Sequence, residues 1–154
     1  VSATSVAGYS GRPLTVKLGI AETTRGAVLD APPGYRAALE AEAGATLGEA
    51  LVPGLDFVQL FVTRRDALGS ALPRALHSLA DRGALWVSWP KRAAKVPTDV
   101  SEDVVREVAL PLGLVDVKVC AVDEVWSGLK LVRRLPARKR RTRRGAKAPT
   151  SGAA

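Results

Sequence analysis

Cysteine and histidine each occur once in this chain, as Cys120 and His77. A lone thiol excludes an internal disulfide, and one thiol with one imidazole excludes the usual zinc ligand sets. Long apolar runs are missing too: no uninterrupted stretch is long enough to span a bilayer. The opening residues VSATSVAGYSGR lack a basic start followed by an apolar segment, so no secretory signal is read there. A cytoplasmic protein without membrane contact is the expectation. The fourth scarcity is local, since no acidic residue follows Pro136.

That last absence divides the charge. The chain carries +8 overall, from 23 basic and 15 acidic residues. Seven basic residues, Arg138, Lys139, Arg140, Arg141, Arg143, Arg144 and Lys147, follow Pro136, which leaves 16 basic against 15 acidic before it. The body is therefore almost neutral, at +1, and the tail carries +7. Without apolar periodicity, the tail 136–154 is expected to be disordered alone. Its cations suit non-specific contact with nucleic-acid phosphates, or they simply solubilise the chain.

What is present is ordinary for a globular domain. The 154 residues are 47% hydrophobic and 25% charged, enough for one core without staples. Residues 1–11 are small and polar and read as an arm. Residues 12–135 read as a single α/β domain. The strongest signal in it is Gly83-Ala-Leu-Trp-Val-Ser-Trp-Pro-Lys91. Its unbroken apolar run is too short for a helix and does not alternate, which predicts a strand covered on both faces. Pro90 has no N–H to donate, so pairing should end there.

Around this strand the pattern predicts a short helix at 13–18 and a strand at 26–30, then a turn at Ala31-Pro-Pro-Gly34 and an alanine-rich helix from Tyr35 to Ala43. A weak strand is expected near Ala50–Val52 and a strong one at 56–62. A helix over 66–80 should be kinked or divided at Pro73, since an interior proline costs a helix about 3 kcal/mol. Asp99-Val-Ser-Glu102 predicts a capping box, with Ser101 as the alternative cap, and a helix to Leu110. Alternation over 115–122, a turn holding Trp126, and a strand at 129–135 predict an antiparallel hairpin. The order indicates a three-layer, Rossmann-like α/β fold: a mostly parallel sheet with a C-terminal antiparallel hairpin.

The stretch Asp56–Lys91 and the closing hairpin resemble the later part of the S-adenosylmethionine-dependent methyltransferase fold. In detail the chain is similar to the bacterial family called domain of unknown function 3052. The resembling segments include Ala31-Pro-Pro-Gly-Tyr35, Leu85-Trp-Val-Ser-Trp-Pro-Lys91, Val96-Pro-Thr-Asp99 and Leu114–Glu124 with Trp126-Ser-Gly-Leu-Lys130. The resemblance implies a truncated methyltransferase-type fold and assigns no activity. It departs from methyltransferases where their cofactor would sit, because Pro32 and Pro33 stand where that family has a glycine-rich loop. Glu49 is the nearest candidate for its ribose-binding acid. No cofactor is therefore expected.

In an open α/β sheet, ligands bind outside the carboxyl ends of the strands. The candidates there are Asp30 and Tyr35 at the first turn, then Ser88, Trp89, Lys91, Lys95, Thr98 and Asp99 at the end of the central strand. Lys91, Arg92 and Lys95 would attract an anion, with Trp89 as an apolar wall. The plainer alternatives are a solvated basic loop and an aspartate engaged in turn chemistry. Asp123 and Glu124 read as a surface turn or partner contact, His77 as a surface or helix-flank residue, and Cys120 as packing. The functional expectation is a non-catalytic module binding a small anionic ligand or a protein partner. The alternatives are a divergent S-adenosylmethionine-dependent methyltransferase and a nucleic-acid-associated protein acting through its tail.

Overall fold

In the computed structural model, residues 12–134 are described. The expected arm 1–11 and basic tail 136–154 lie outside them. Six strands form one sheet: β1 (Gly26–Leu29), β2 (Leu47–Gly48), β3 (Leu55–Phe61), β4 (Leu79–Pro90), β5 (Leu114–Ala121) and β6 (Trp126–Arg133), in the order β2-β1-β3-β4-β6-β5. The first four are parallel, with Gly26 beside Leu47 and Phe57, and Phe57 beside Ala84. β6 runs antiparallel to both β4 and β5. This is the expected mostly parallel sheet with an antiparallel C-terminal hairpin, and β4 is interior.

Four helices cover the two faces: α1 (Leu14–Leu18), α2 (Tyr35–Ala43), α3 (Arg65–Ser78) and α4 (Glu102–Ala109). Alternation along the strands sorts the core into two halves. Phe57, Phe61 and Trp86 pack with Leu14, Leu18 and Leu39 of α1 and α2. Val58, Leu60, Leu85 and Val87 pack with Leu68, Leu72, Val105 and Ala109 of α3 and α4. Burial on both faces explains why the β3 and β4 segments read as continuous apolar runs.

Local chemistry moved several boundaries. The weak strand is Leu47–Gly48 rather than Ala50–Val52, because Leu47 is the buried anchor and its N–H donates to the Glu40 carboxylate at 2.6 Å. Residues 49–54 form the connection to β3, with Val52 exposed. α3 is one helix and is not divided at Pro73. Pro73 and Gly69 are both exposed, so the interruption falls on the solvent side of the helix. The central strand starts at Leu79, earlier than Gly83, through a register shift against β3. Gly83 permits this: a Cβ there would lie 2.8 Å from the Leu55 carbonyl oxygen.

The alternation over 115–122 also fails. A bulge between Asp116 and Lys118 leaves Val117 and Val119 about half exposed on an edge strand. Trp126 opens β6 instead of lying in the turn, and Asp123 Oδ1 accepts from the N–H groups of Val125 and Trp126, both at 2.8 Å. Ser101 caps α4 by accepting from Val104 N–H. Asp99 serves another helix, accepting from Arg65 N–H at the start of α3 at 2.6 Å. Among the described residues, no helix is long and apolar enough to cross a membrane.

Candidate functional site

The chain leaves β1 toward β2 on one side and returns to β3 on the other, so the carboxyl ends of β1 and β3 mark the switch point of the sheet. Asp30 ends β1 there with φ 59°, one of two non-glycine residues with positive φ among those described. Aspartate tolerates this left-handed conformation better than most side chains. The turn then closes with Tyr35 N–H donating to the Pro32 carbonyl at 3.1 Å, and Gly34, at φ 80°, starts α2.

Asp30 separates two clefts. One, of about 450 Å³, lies over the turn and is lined by Pro32, Pro33, Gly34, Arg36 and Glu49. The other, of about 460 Å³, opens between the ends of β1 and β3 and the start of α3. Thr63, Arg64, Ser70, Arg74 and Trp126 line this second cleft. Glu49 follows β2 directly and is paired to Arg36 at 3.2 Å. Arg64 is paired to Asp66, also at 3.2 Å. Arg74 has no ion pair among the described residues, so it is the uncompensated cation of the second cleft.

On the α1/α2 face beneath these clefts the space is filled. Phe61 stands edge-on between Tyr35 and Trp126, with ring centres 4.9 and 5.0 Å away. Tyr35 Oη donates to Gln59 Oε1 at 2.9 Å, and Gln59 Nε2 donates to Ser88 Oγ at 3.0 Å. All three residues are buried. The relay links α2, β3 and β4, and it accounts for polar atoms that would otherwise be costly inside the core.

Burial pushes the Tyr35 phenol far above its ordinary value. An unfolded tyrosine ionises near pH 10, about the ordinary value. Below that pH both states are protonated, and this stabilising contribution is fully present. As pH rises further, the unfolded chain loses the proton while the folded one keeps it, so stability falls. In a Tyr9→Phe background, tyrosinate absorbance should therefore appear only together with unfolding. Tyrosinate forming in protein that circular dichroism shows to be folded would contradict the buried relay.

The structure divides the expected binding residues. Asp30 lines both switch-point clefts, whereas Tyr35 and Ser88 are enclosed and joined through Gln59. Trp89, Thr98 and Asp99 line a different cleft, of about 740 Å³, beside the first turn of α4. There Thr98 Oγ1 donates to the Thr63 carbonyl at 2.7 Å, and Asp99 holds α3, so both tie the loop down. Lys91 N–H donates to Val125 O at 2.7 Å, and Lys95 is exposed at φ 56° after the short 3-10 turn Arg92–Ala94. No residue lines both this cleft and the two beside Asp30. The tail cations from Arg138 to Lys147 lie outside the described residues.

Three contributors lay outside the residues expected from sequence. Gln59 had a signal, an amide interrupting the apolar run DFVQLFV. Thr63 directly follows the strand predicted at 56–62, whereas Arg74 had no signal, because only the packing of α3 against the ends of β1 and β3 brings it beside Asp30. Cys120 is half-buried, and burial raises its thiol above the usual range. Among the described residues, no group of three or more His, Cys, Asp or Glu side chains is placed to hold a metal.

Solved structures share this architecture. A candidate type 11 methyltransferase from Sulfolobus solfataricus matches with TM-score 0.52 and 12% identity, over 84% of this chain and 94% of its own. Magnesium protoporphyrin IX methyltransferase from Synechocystis PCC 6803, solved with bound SAM, matches with TM-score 0.51 and 14% identity, over 78% of this chain and 74% of its own. This chain spans 58% of a ribosomal protein L11 methylase from Lactobacillus delbrueckii subsp. bulgaricus, at 12% identity over 71% of this chain and TM-score 0.44. At such identities the first two share a methyltransferase-like fold with this chain, and the third is a weaker match. No curated protein matches the sequence. The match of residues 30–135 to a family described as "Protein of unknown function (DUF3052)" covers the β1 turn, the relay and the hairpin, and the chain belongs to that family.

Proposed function

We propose that the chain is a binding module that holds a small anionic molecule at the switch point between β1 and β3. One observation carries this reading: Asp30, in a left-handed conformation, shares its cleft with Arg74, a cation with no ion pair among the described residues. Arg74 would take the anionic group and Asp30 a hydroxyl or amine of the same ligand. The placement agrees with where open α/β sheets hold ligands. The test is thermal unfolding with AMP, inorganic phosphate and S-adenosylmethionine as probes. Saturation at 100 times Kd stabilises by about 2.7 kcal/mol, which for a chain of this size raises Tm by about 5–10 °C. AMP or phosphate should raise Tm, and Asp30→Asn or Arg74→Ala should reduce the rise. No shift with either anion would sink the proposal.

A divergent methyltransferase is the second reading, favoured by Glu49 standing at the end of β2 beside the first cleft. Against it, Pro32 and Pro33 supply no N–H groups to a cofactor, and Arg36 already engages Glu49. Millimolar S-adenosylmethionine should leave Tm unchanged, and a clear upward shift would favour the methyltransferase. Nucleic-acid contact is proposed separately for the segment from Arg138 to Lys147. Neutralising about 5–7 phosphates gives a log–log salt slope of about −4 to −6 on duplex DNA. Deleting residues 137–154 should abolish that binding, and affinity retained by the truncated chain would place the surface elsewhere.

A further inference from the structure

The connection from β2 to β3 is only six residues long, 49–54. Parallel strands are usually joined by a dozen or more residues, most often including a helix that covers the sheet. On the α3 side Ala27 of β1 is buried in the core, and Leu51 from the connection packs against the same cluster. A groove of about 700 Å³ remains between the connection and α3, within the usual range for small-molecule sites. Its apolar lining comes from Leu29, Leu51, Val52, Pro53 and Pro73, and Val52 is 44% exposed. Two charged residues and one histidine reach the same groove. Glu49 is paired to Arg36, which also pairs with Glu40, and His77 lies toward the end of α3. Arg74 stands where the groove joins the Asp30 cleft, since it and Leu29 line both.

We infer that the ligand is an anionic amphiphile: its head group meets Arg74, and an unbranched hydrocarbon body lies in the groove over Leu51 and Val52. This rests on the anion site proposed above and names the class of molecule it would take. Charge complementarity selects the head group, because Arg74 is the one charged residue in the groove without an ion pair among the described residues. The missing crossover helix explains the apolar surface that the tail would cover.

The experiment is a calorimetric titration of the full chain with butyrate, hexanoate, octanoate and decanoate, each below its micelle concentration, and with decanol as a neutral control. A methylene moved from water into the groove should tighten binding about fourfold. Decanoate should then bind roughly 250-fold tighter than hexanoate. Val52→Asn, a neutral change at an exposed position, should flatten the dependence on chain length, while Arg74→Ala should weaken every acid and leave decanol unaffected. If short and long acids bind equally and both need Arg74, the groove inference fails and the anion site stands. If no acid of any length binds, the amphiphile inference falls, and the anion site is judged by its own AMP and phosphate titrations. Chain-length dependence unchanged in Val52→Asn overturns the assignment to this groove.

Discussion

Alanine at position 86 should destabilise the protein by about 3–5 kcal/mol, the cost of truncating a fully buried aromatic and leaving a cavity. Trp86 is completely buried on the α1/α2 face of the interior strand β4, among Leu14, Leu18, Phe57 and Val122. Its neighbour Gly128 is fitted to it, since a Cβ there would lie 3.2 Å from the indole. Phenylalanine should behave quite differently. The Trp86 indole N–H is buried with no acceptor among the described residues. An unpaired buried donor costs the native state about 1–3 kcal/mol. Phenylalanine removes that donor while keeping most of the apolar contact. Trp86→Phe should therefore fall within about 1 kcal/mol of the parent, since the two effects oppose each other. Urea denaturation of the three proteins measures the difference. If Trp86→Phe is as damaging as Trp86→Ala, the indole shape matters more than its unpaired N–H, and this account of position 86 is wrong.

The second large effect belongs to the relay. Gln59→Leu keeps the side-chain size but leaves Tyr35 Oη and Ser88 Oγ without their shared partner inside the core. At about 1–3 kcal/mol for each stranded group, the loss should be about 2–6 kcal/mol. Removing both hydroxyls as well should restore much of it, because an apolar set of the same shape strands nothing. The triple variant Tyr35→Phe, Gln59→Leu, Ser88→Ala should thus be more stable than Gln59→Leu alone. The high-pH loss of stability attributed to Tyr35 should vanish with it. A neutral Gln59→Leu, or a triple variant less stable than the single one, would show that the three side chains do not act as a unit.

By itself the sequence determined the kind of fold. Continuous apolar runs at β3 and β4 demand cover on both faces, and the interleaved helical stretches supply it. Those two strands, α2 and the hairpin were legible because their patterns are local. So was the end of β4 at Pro90, which has no N–H to donate. Other features depend on partners distant in the chain. Leu47 became β2 because Glu40 and β1 receive it, and β4 extends back to Leu79 because β3 lies alongside. Asp99 looked like the cap of its own helix, yet it serves Arg65, 34 residues away. The candidate site divides in the same way. Asp30 and the proline turn could be read from sequence, since strand ends and turn residues announce themselves. Only the tertiary structure brought Arg74 beside Asp30, buried Tyr35 and Ser88 on either side of Gln59, and left the groove beside α3 uncovered. Contacts between residues far apart in the chain arise from the packing of whole elements, and no local periodicity encodes them.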